Sequence, residues 1–265
     1  MAAVDVWASG DAYEPYVGRW SRLVAAELLA WLAAPPGLRW LDVGCGTGAV
    51  TRTLLEHAAP REVVAVDASD GYVSYARARV GDARATFRAA DAQRLPFGDD
   101  EFDMAVSGLV LNFVPDKGAM VREMARVTRP GGPIAAYVWD YGDRMELMRH
   151  FWDAAVERDP GAAELDEGHR FPIARPAALR DLLQGAGLAE VEVRALDVPT
   201  VFADFDDYWS PFLGGQGPAP GYCMSLPEAR RAALREHIRG RLPARADGSI
   251  ALIARAWAVR GVRRP

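Results

Sequence analysis

Five residues following an apolar run, Gly44-Cys45-Gly46-Thr47-Gly48 in "RWLDVGCGTGAV" (39–50), have the spacing of a loop that cradles a ligand. Glycines at such a place let a strand end, the backbone turn tightly, and a helix begin close to both sheet and ligand. Gly44, Gly46 and Ala49 satisfy the dinucleotide pattern GxGxxG/A, while Gly44, Gly46 and Gly48 satisfy the GxGxG pattern of loops that hold S-adenosylmethionine. The first cofactor moves a hydride and the second a methyl group. Asp67, 23 residues after Gly44, is placed to accept hydrogen bonds from both hydroxyls of an adenosine ribose. Both cofactors carry that ribose, so the acid does not separate them.

Three features do. Asp42 lies two residues before the first glycine, where its charge suits the cationic methionine end of a sulfonium cofactor and repels the phosphates of a dinucleotide; tying the loop to neighbouring backbone is its alternative role. "AADAQRLPF" places Asp91 after a third strand, where it can meet the exocyclic amine of an adenine. The only lysine, Lys117, has Phe113 four residues before it, so the Tyr-x-x-x-Lys pair of short-chain dehydrogenases is absent.

The elements that must position these residues are legible from periodicity. Leu23, Val24, Leu28, Trp31 and Leu32 recur at helical spacing between Arg19 and Ala34, and Pro35 and Pro36 close that helix. Strand-like and helix-like stretches then alternate: "RWLDVG", "AVTRTLLEHA", "EVVAVDA", "GYVSYARARV", "ATFRAAD", "FDMAVSG", "KGAMVREMARVT" and "PIAAYVW". Such alternation predicts an α/β fold, an open twisted parallel sheet with helices on both faces. Residues 143–172 read as a lid insertion, a helix "RMELMRHFWDAAVE" followed by an acidic loop. A helix "PAALRDLLQGAGL" and a strand "EVEVRALDVPTVF" resume the core; "ADFDDYWSPFLGGQGPAPGYCM" is then too rich in Gly and Pro for regular structure. Ser225 and Glu228 have capping-box spacing and open a helix with Ala229, Leu234, Ile238 and Leu242 on one side, and Arg230, Arg231, Arg235 and Arg239 on a solvated other side. A strand "SIALIARAWAVRG" ends the pattern.

"LDVGCGTG", Asp67, "DAQRLPF", "FDMAVSGLVLNFVPD" and "VTRPGG" occur in the order and spacing of class I S-adenosylmethionine-dependent methyltransferases. The chain resembles the bacterial small-molecule type, similar to ubiquinone/menaquinone-biosynthesis methyltransferases, with strong motifs over roughly residues 37–140. That resemblance implies a Rossmann-like, seven-stranded, mostly parallel sheet with an antiparallel last strand, helices on both faces and added lid segments. It implies a division into an N-terminal helical cap (1–36), a cofactor-binding core (37–142), the lid (143–172) and a C-terminal part of the same sheet (173–265) carrying a substrate-side insertion at about 203–247. It also implies that Gly44, Cys45, Gly46, Thr47 and Gly48 bend around the methionine and ribose, that Asp67 binds the ribose, and that Ala68 and Ser69 lie beside the adenine. Asp91 and Ala92 would then bind the adenine edge, and Ser107 and Gly108 would lie near the reactive methyl. Tyr16 and Arg19 suit a cap over the methionine carboxylate.

Bulk properties narrow the partners. With 265 residues, half of them hydrophobic, the chain can bury a sizeable core. A net charge of −5 offers no positive field for nucleic acid. No apolar run reaches the roughly 20 residues needed to span a bilayer, and the first twenty residues carry Asp5, Asp11 and Glu14 rather than a secretory leader. Cys45 and Cys223 are too few for a disulfide framework. A cytoplasmic monomer or homodimer acting on a small molecule, with no nucleic-acid or membrane partner, is the expectation.

The acceptor site is expected among the aromatic residues of the lid and the irregular segment: Trp139, Tyr141, Met148, Trp152, Tyr208, Trp209, Phe212 and Tyr222, with Met145 and Phe205 as further wall candidates. That lining favours an apolar or aromatic metabolite, methylated at oxygen, nitrogen or carbon. No catalytic residue is assigned, the weak candidates being His150, His169 and Tyr141; Leu111 and Asn112 stand where many relatives hold histidine. "SGLVLN" occupies the place of the (D/N)PP(Y/F) segment used on nucleobase amines. No His/Asp/Glu group has ligand spacing, so S-adenosylmethionine without a metal is the expected cofactor. A cofactor-binding protein without methyl transfer, and a dinucleotide-dependent oxidoreductase, are the rival readings.

Overall fold

The computed structural model describes residues 14–215 and 217–265; Tyr13 and the other first positions of the expected 1–36 cap lie outside the described residues. A π-helical turn, Glu14–Gly18, leads into α1, Arg19–Leu32. Val24, Ala25 and Leu28 are buried on one face of α1, but Leu23, expected beside them, is exposed. One residue is a rotation of about 100° on a helix, which carries Leu23 off the stripe.

The alternation continues as β1 (Arg39–Val43), α2 (Ala49–His57), β2 (Glu62–Asp67), α3 (Asp70–Val80), β3 (Ala85–Ala89), β4 (Met104–Gly108), α4 (Lys117–Val127) and β5 (Pro133–Trp139). Then come α5 (Glu146–Arg158), α6 (Glu167–Arg170), α7 (Pro176–Gly185), β6 (Ala189–Phe202), α8 (Phe205–Trp209), α9 (Pro218–Ser225), α10 (Glu228–Arg239) and β7 (Ile250–Val262). The seven strands lie in the order β3-β2-β1-β4-β5-β7-β6. The first five run parallel and the last strands antiparallel, with helices around the sheet, the Rossmann-like architecture expected. β1, β2, β4 and β5 are buried almost end to end, as parallel strands covered on both faces must be. The outermost strand β6 instead exposes Glu190, Glu192, Arg194, Asp197 and Pro199, residues that an edge tolerates.

Two compact units make up the chain. One, here the sheet unit, takes Ser21–Val138, Ile173–Leu196 and Ala256–Pro265. The other, the aromatic unit, takes the described residues up to Trp20, with Trp139–Pro172 and Asp197–Arg255.

Two local expectations are corrected in the aromatic unit. The segment after β6 is not irregular: it forms α8, a 3-10 turn at Ser210–Gly214, and α9. Its prolines sit in the first turns, where a missing N–H breaks no helical bond, and Asp204 caps α8 by accepting from the Asp207 N–H at 2.8 Å. The expected capping box is absent: Ser225 ends α9 and donates to the Tyr222 carbonyl, Pro227 occupies the N-cap of α10, and Glu228 pairs with Arg231. On α10, Leu234 and Ile238 are buried and Ala229 is exposed. Its arginines are engaged rather than simply solvated: Arg235 reaches Asp206 at 2.6 Å, and Arg235 and Arg239 lie over the Phe205 ring. That cover, with stacking on Trp209, gives Phe205 a packing role.

Candidate active site

In the sheet unit, β1 ends by turning its chain back onto β2: the Gly44 and Cys45 N–H groups both donate to the Val66 carbonyl, at 2.7 and 2.9 Å. Gly44, Gly46 and Gly48 take φ values of 76, 52 and 88°, the left-handed region that disfavours a side chain. At Gly44 a Cβ would also strike Val110, at 2.6 Å from Cγ1 and 2.8 Å from Cβ. At Gly46 it would meet nothing within 4 Å. The Asp67 carboxylate binds the two neighbouring loops together, accepting from the Gly46 N–H at 2.9 Å and the Ser69 N–H at 2.9 Å. Ser69 in turn caps α3 by accepting from the Tyr72 N–H. Burial holds the Asp67 carboxyl above its ordinary range, opposed by those two amides.

Cys45 packs with Ala65, Val73, Ala76 and Phe87, and burial pushes its thiol well up. Its side chain fills an apolar gap, which leaves only its backbone to line the loop. Thr47 is also buried. Asp91 and Ala92 follow β3; the Asp91 carboxylate is exposed and accepts from the Gln93 backbone and side-chain amides.

Four described polar side chains buried in this unit lack full partners, one of them Trp40 at its indole Nε1. Asp42 is fully buried; Oδ2 accepts from Thr51 Oγ1 at 2.6 Å, while Oδ1 has no partner. Desolvation pushes its carboxyl up to about 7, against the Thr51 hydrogen bond. On the adjacent strand, where Asp42 pairs in register with Val106, Ser107 is buried with its Oγ unpartnered. Asn112 is buried with neither amide atom satisfied. Native proteins satisfy nearly all buried polar groups, so such a set fits a polar ligand that completes them. These groups, a carboxylate that accepts together with hydroxyl and amide groups, suit a cation bearing hydroxyls and amines. Gly108 is required by packing, since a Cβ there would lie 2.6 Å from Tyr137 Oη and 2.7 Å from Val50 Cγ2. The next residue, Leu109, holds φ at 62°, a strained setting for leucine, with its N–H donating to the Tyr137 carbonyl.

The aromatic unit gathers most of the expected acceptor residues. Trp139, Tyr141, Met145, Met148, Trp152, Tyr208, Trp209, Phe212 and Tyr222 are all buried. Phe151, next to the expected Trp152, is central to them: it stacks on Phe212 at 4.5 Å and meets Trp152 edge-on at 5.3 Å. Tyr16 packs edge-on against Phe212 at 5.6 Å. Tyr208 donates to the Leu147 carbonyl at 2.9 Å and Tyr222 donates to Asp159 at 3.4 Å, whereas the Tyr16 hydroxyl has no partner among the described residues. Arg19 pairs with Asp207 at 2.9 Å and lies over Trp20 and Phe202; its Nε and Nη2 are buried without partners, donors of the kind a carboxylate binds.

The candidate bases fare differently. His169 is largely exposed beside Asp166, and His150 is half-buried, its imidazole shifted down by burial. Tyr141 packs on Phe171 at 5.4 Å and gives its carbonyl to Arg149. Among the buried acids is Glu167, 2% exposed, which accepts from Trp152 Nε1 and is pushed by burial up to about 8. The preceding Asp166 takes a two-pronged pair from Arg149, at 2.9 and 2.8 Å, which fixes the turn that carries Glu167. In sequence, Glu164, Asp166 and Glu167 look equally solvated; only the helical turn at Pro160–Glu164 and α6 separate the exposed acid from the buried two. Thr51 and Val110, which hold Asp42 and Gly44, carried no motif signal either.

Among the described residues no group of three or more His, Cys, Asp or Glu is placed to hold a metal ion, and no helix is long and apolar enough to cross a membrane.

The architecture and loop define an adenosyl-binding Rossmann-like protein, and comparison with known proteins places it further. Residues 41–136 match the family described as a methyltransferase domain. A 2-methyl-6-phytyl-1,4-hydroquinone methyltransferase of Synechocystis is 32% identical over 69% of this chain and 57% of its own. A demethylmenaquinone methyltransferase of Roseiflexus is 40% identical over 62% of this chain and 73% of its own. Among solved structures, the YcgJ protein of Bacillus subtilis gives a TM-score of 0.60 at 21% identity, covering 91% of this chain and 98% of that one, a likeness of fold. The chain belongs to the class I S-adenosylmethionine-dependent methyltransferases. It spans about half the length of several curated relatives that it matches.

Proposed function

We propose that this chain transfers the methyl group of S-adenosylmethionine to an oxygen, nitrogen or carbon atom of a small apolar or aromatic metabolite. The observation that carries this reading is the set of buried, incompletely partnered Asp42, Ser107 and Asn112 beside a glycine loop tied by Asp67. Gly44–Gly48 are assigned to the methionine and ribose, Asp67 to the ribose hydroxyls, Ala68 and Ser69 to the adenine face, Asp91 and Ala92 to its edge, and Ser107 and Gly108 to the neighbourhood of the sulfonium. A carboxylate has about four acceptor directions, so Asp67 can bind ribose while still accepting from both loops. When bound, S-adenosylmethionine supplies a methyl carbon activated by cationic sulfur and leaves as the neutral thioether. The chain's residues then need only hold, orient and dehydrate, effects that supply several kcal/mol, roughly 7–11 in the best-aligned cases. The expected lid (143–172) and the 203–247 insertion both fall in the aromatic unit, to which acceptor recognition is assigned.

Incubation of the purified chain with methyl-labelled S-adenosylmethionine and a fractionated metabolite extract is expected to put label into a small, solvent-extractable product. No labelled acceptor, or label confined to nucleic acid or protein, would overturn the reading. Asp67→Ala is expected to weaken S-adenosylhomocysteine binding by about 1–3 kcal/mol in calorimetric titration, from lost hydrogen bonds to a charged group and a loosened loop. An unchanged affinity would remove Asp67 from the site.

A further inference from the structure

Arg19 uses one side of its guanidinium and leaves the other unmatched. Nη1 donates to Asp207 Oδ1 at 2.9 Å, and the other oxygen of Asp207 accepts from the Ala203 N–H at 3.0 Å, which fixes the pair to the turn that opens α8. Nε and Nη2, the opposite edge of the same fork, are buried and have no partner among the described residues. Covalent geometry makes these two N–H groups parallel, so they face one ligand group together. In two other arginines of the chain this edge takes a carboxylate: Arg126 holds Glu123 at 2.8 and 2.8 Å, and Arg255 holds Asp197 at 2.6 and 2.8 Å. The rings beside Arg19 do not replace such a partner. Its Cζ lies 4.4 Å from the Trp20 ring and 4.8 Å from the Phe202 ring, contacts that balance charge through the ring faces and supply no lone pair. Two more unpartnered groups border the Phe202 ring: the indole Nε1 of Trp20, whose ring is 5.5 Å away, and Oγ1 of Thr200, two residues back on the same buried face of β6. Arginine Nε and Nη2 and the indole N–H only donate, so what completes them is a group that only accepts. Buried donors without acceptors are costly and rare. The Arg19 side chain is 29% exposed, so its free edge lies just beneath the surface.

We propose that the Nε–Nη2 edge of Arg19 binds a carboxylate of the methyl acceptor, which is therefore an organic acid with an apolar or aromatic body. This rests on the reading that the aromatic unit recognises the acceptor. Asp207, Trp20 and Phe202, which hold the guanidinium, all belong to that unit. The methionine end of S-adenosylmethionine carries the same chemical group, and filling the cofactor site first separates the two sources. A neutral amide in place of the carboxylate brings N–H groups to an edge that only donates, and the mismatch leaves a buried donor unpaired, which makes selection strong. Lysine at this position keeps the charge but not the planar fork.

The test titrates 2-naphthoate and 2-naphthamide, matched in size, calorimetrically into the full chain saturated with S-adenosylhomocysteine, and into the Arg19→Lys and Arg19→Gln variants treated alike. The unsubstituted chain is expected to bind 2-naphthoate about tenfold more tightly than the amide, the gain of a charge-assisted hydrogen bond. Arg19→Gln is expected to bring that ratio near one, and Arg19→Lys to lower it about threefold. Should Arg19→Gln fail to fold, Arg19→Lys, which keeps a cation beside Asp207, decides. Both variants are expected to bind S-adenosylhomocysteine within about twofold of the unsubstituted chain, since its carboxylate is held elsewhere. A tenfold loss of S-adenosylhomocysteine affinity in Arg19→Lys, or a naphthoate preference seen only without that compound, assigns the edge to the methionine carboxylate and overturns the inference. Equal binding of acid and amide, or a preference that survives unchanged in the folded variants, overturns it and leaves the apolar-or-aromatic-acceptor reading standing. Binding of neither compound overturns that reading and the inference with it.

Discussion

Gly44→Ala is expected to lose roughly 2–5 kcal/mol of folding stability, combining about 1–2 for a non-glycine residue in the left-handed region with about 1–3 for overpacking. The clash is with Val110, and the atoms met include its Cβ, which side-chain rotation cannot remove. The segment after β4 would have to move away from the loop, and that segment carries Leu109, already strained at φ 62°, and the buried Asn112. Gly46→Ala provides the internal control. It has the same sign of φ and open space for a Cβ, so roughly 1–2 kcal/mol is expected there. Urea denaturation of the two variants separates the steric from the conformational contribution, each kcal/mol lowering Tm by about 2–4 °C in a chain near this size. Equal losses in the two variants would show that Val110 does not press on the loop.

A second large effect is expected from Asp42→Asn, with a sign that depends on pH. Asp42 is raised in the fold from 3.8 to about 7, so between about pH 4 and pH 7 the folded chain keeps a proton that the unfolded chain has released. The contribution of this group to stability is therefore greatest on the acid side of that window and is lost as pH rises through it. The fall amounts to roughly 3–5 kcal/mol at pH 8. Asparagine still accepts from Thr51 but has no charge to desolvate, and its buried amide N–H groups cost about 1–3 kcal/mol. Asp42→Asn is thus expected to be neutral or mildly destabilising at pH 5 and stabilising by roughly 1–3 kcal/mol at pH 8. The same substitution is expected to weaken S-adenosylhomocysteine or S-adenosylmethionine binding, most for the cationic compound, because a buried carboxylate without a full set of partners is compensated by a cation. Melting curves of both proteins from pH 5 to 8 test the first statement. A difference that is flat with pH would mean that Asp42 is ionised in the fold at no cost.

The acid of the glycine loop illustrates how far spacing alone reaches. Asp67 was legible because its position after a strand and its distance from Gly44 are set by the length of one crossover helix, a local quantity. Its second task, accepting from the Gly46 and Ser69 N–H groups, depends on how two loops approach each other and has no sequence period. Asp42 was legible as an acid near the loop, but not its hydroxyl partner, because Thr51 reaches it from the following helix. Cys45 looked like part of the ligand loop, and the fold turns its thiol into an apolar cluster. In the segment between β6 and α10, proline and glycine look like breakers in sequence, whereas most of them occupy helix starts and ends, where they are tolerated.

By itself, then, the chain's residue order determined the alternating α/β pattern, the cofactor loop and the acids that accompany it, since each arises from contacts within one strand-turn-helix unit. Tertiary structure alone decided which of several similar acids and phenols are buried, and so which can act. Glu167 and Glu164 differ by three positions in one acidic stretch, yet one lies among aromatic rings and the other in water. That difference comes from desolvation by residues distant in sequence, Trp152 among them, and a carboxyl group's chemistry is set by what surrounds it.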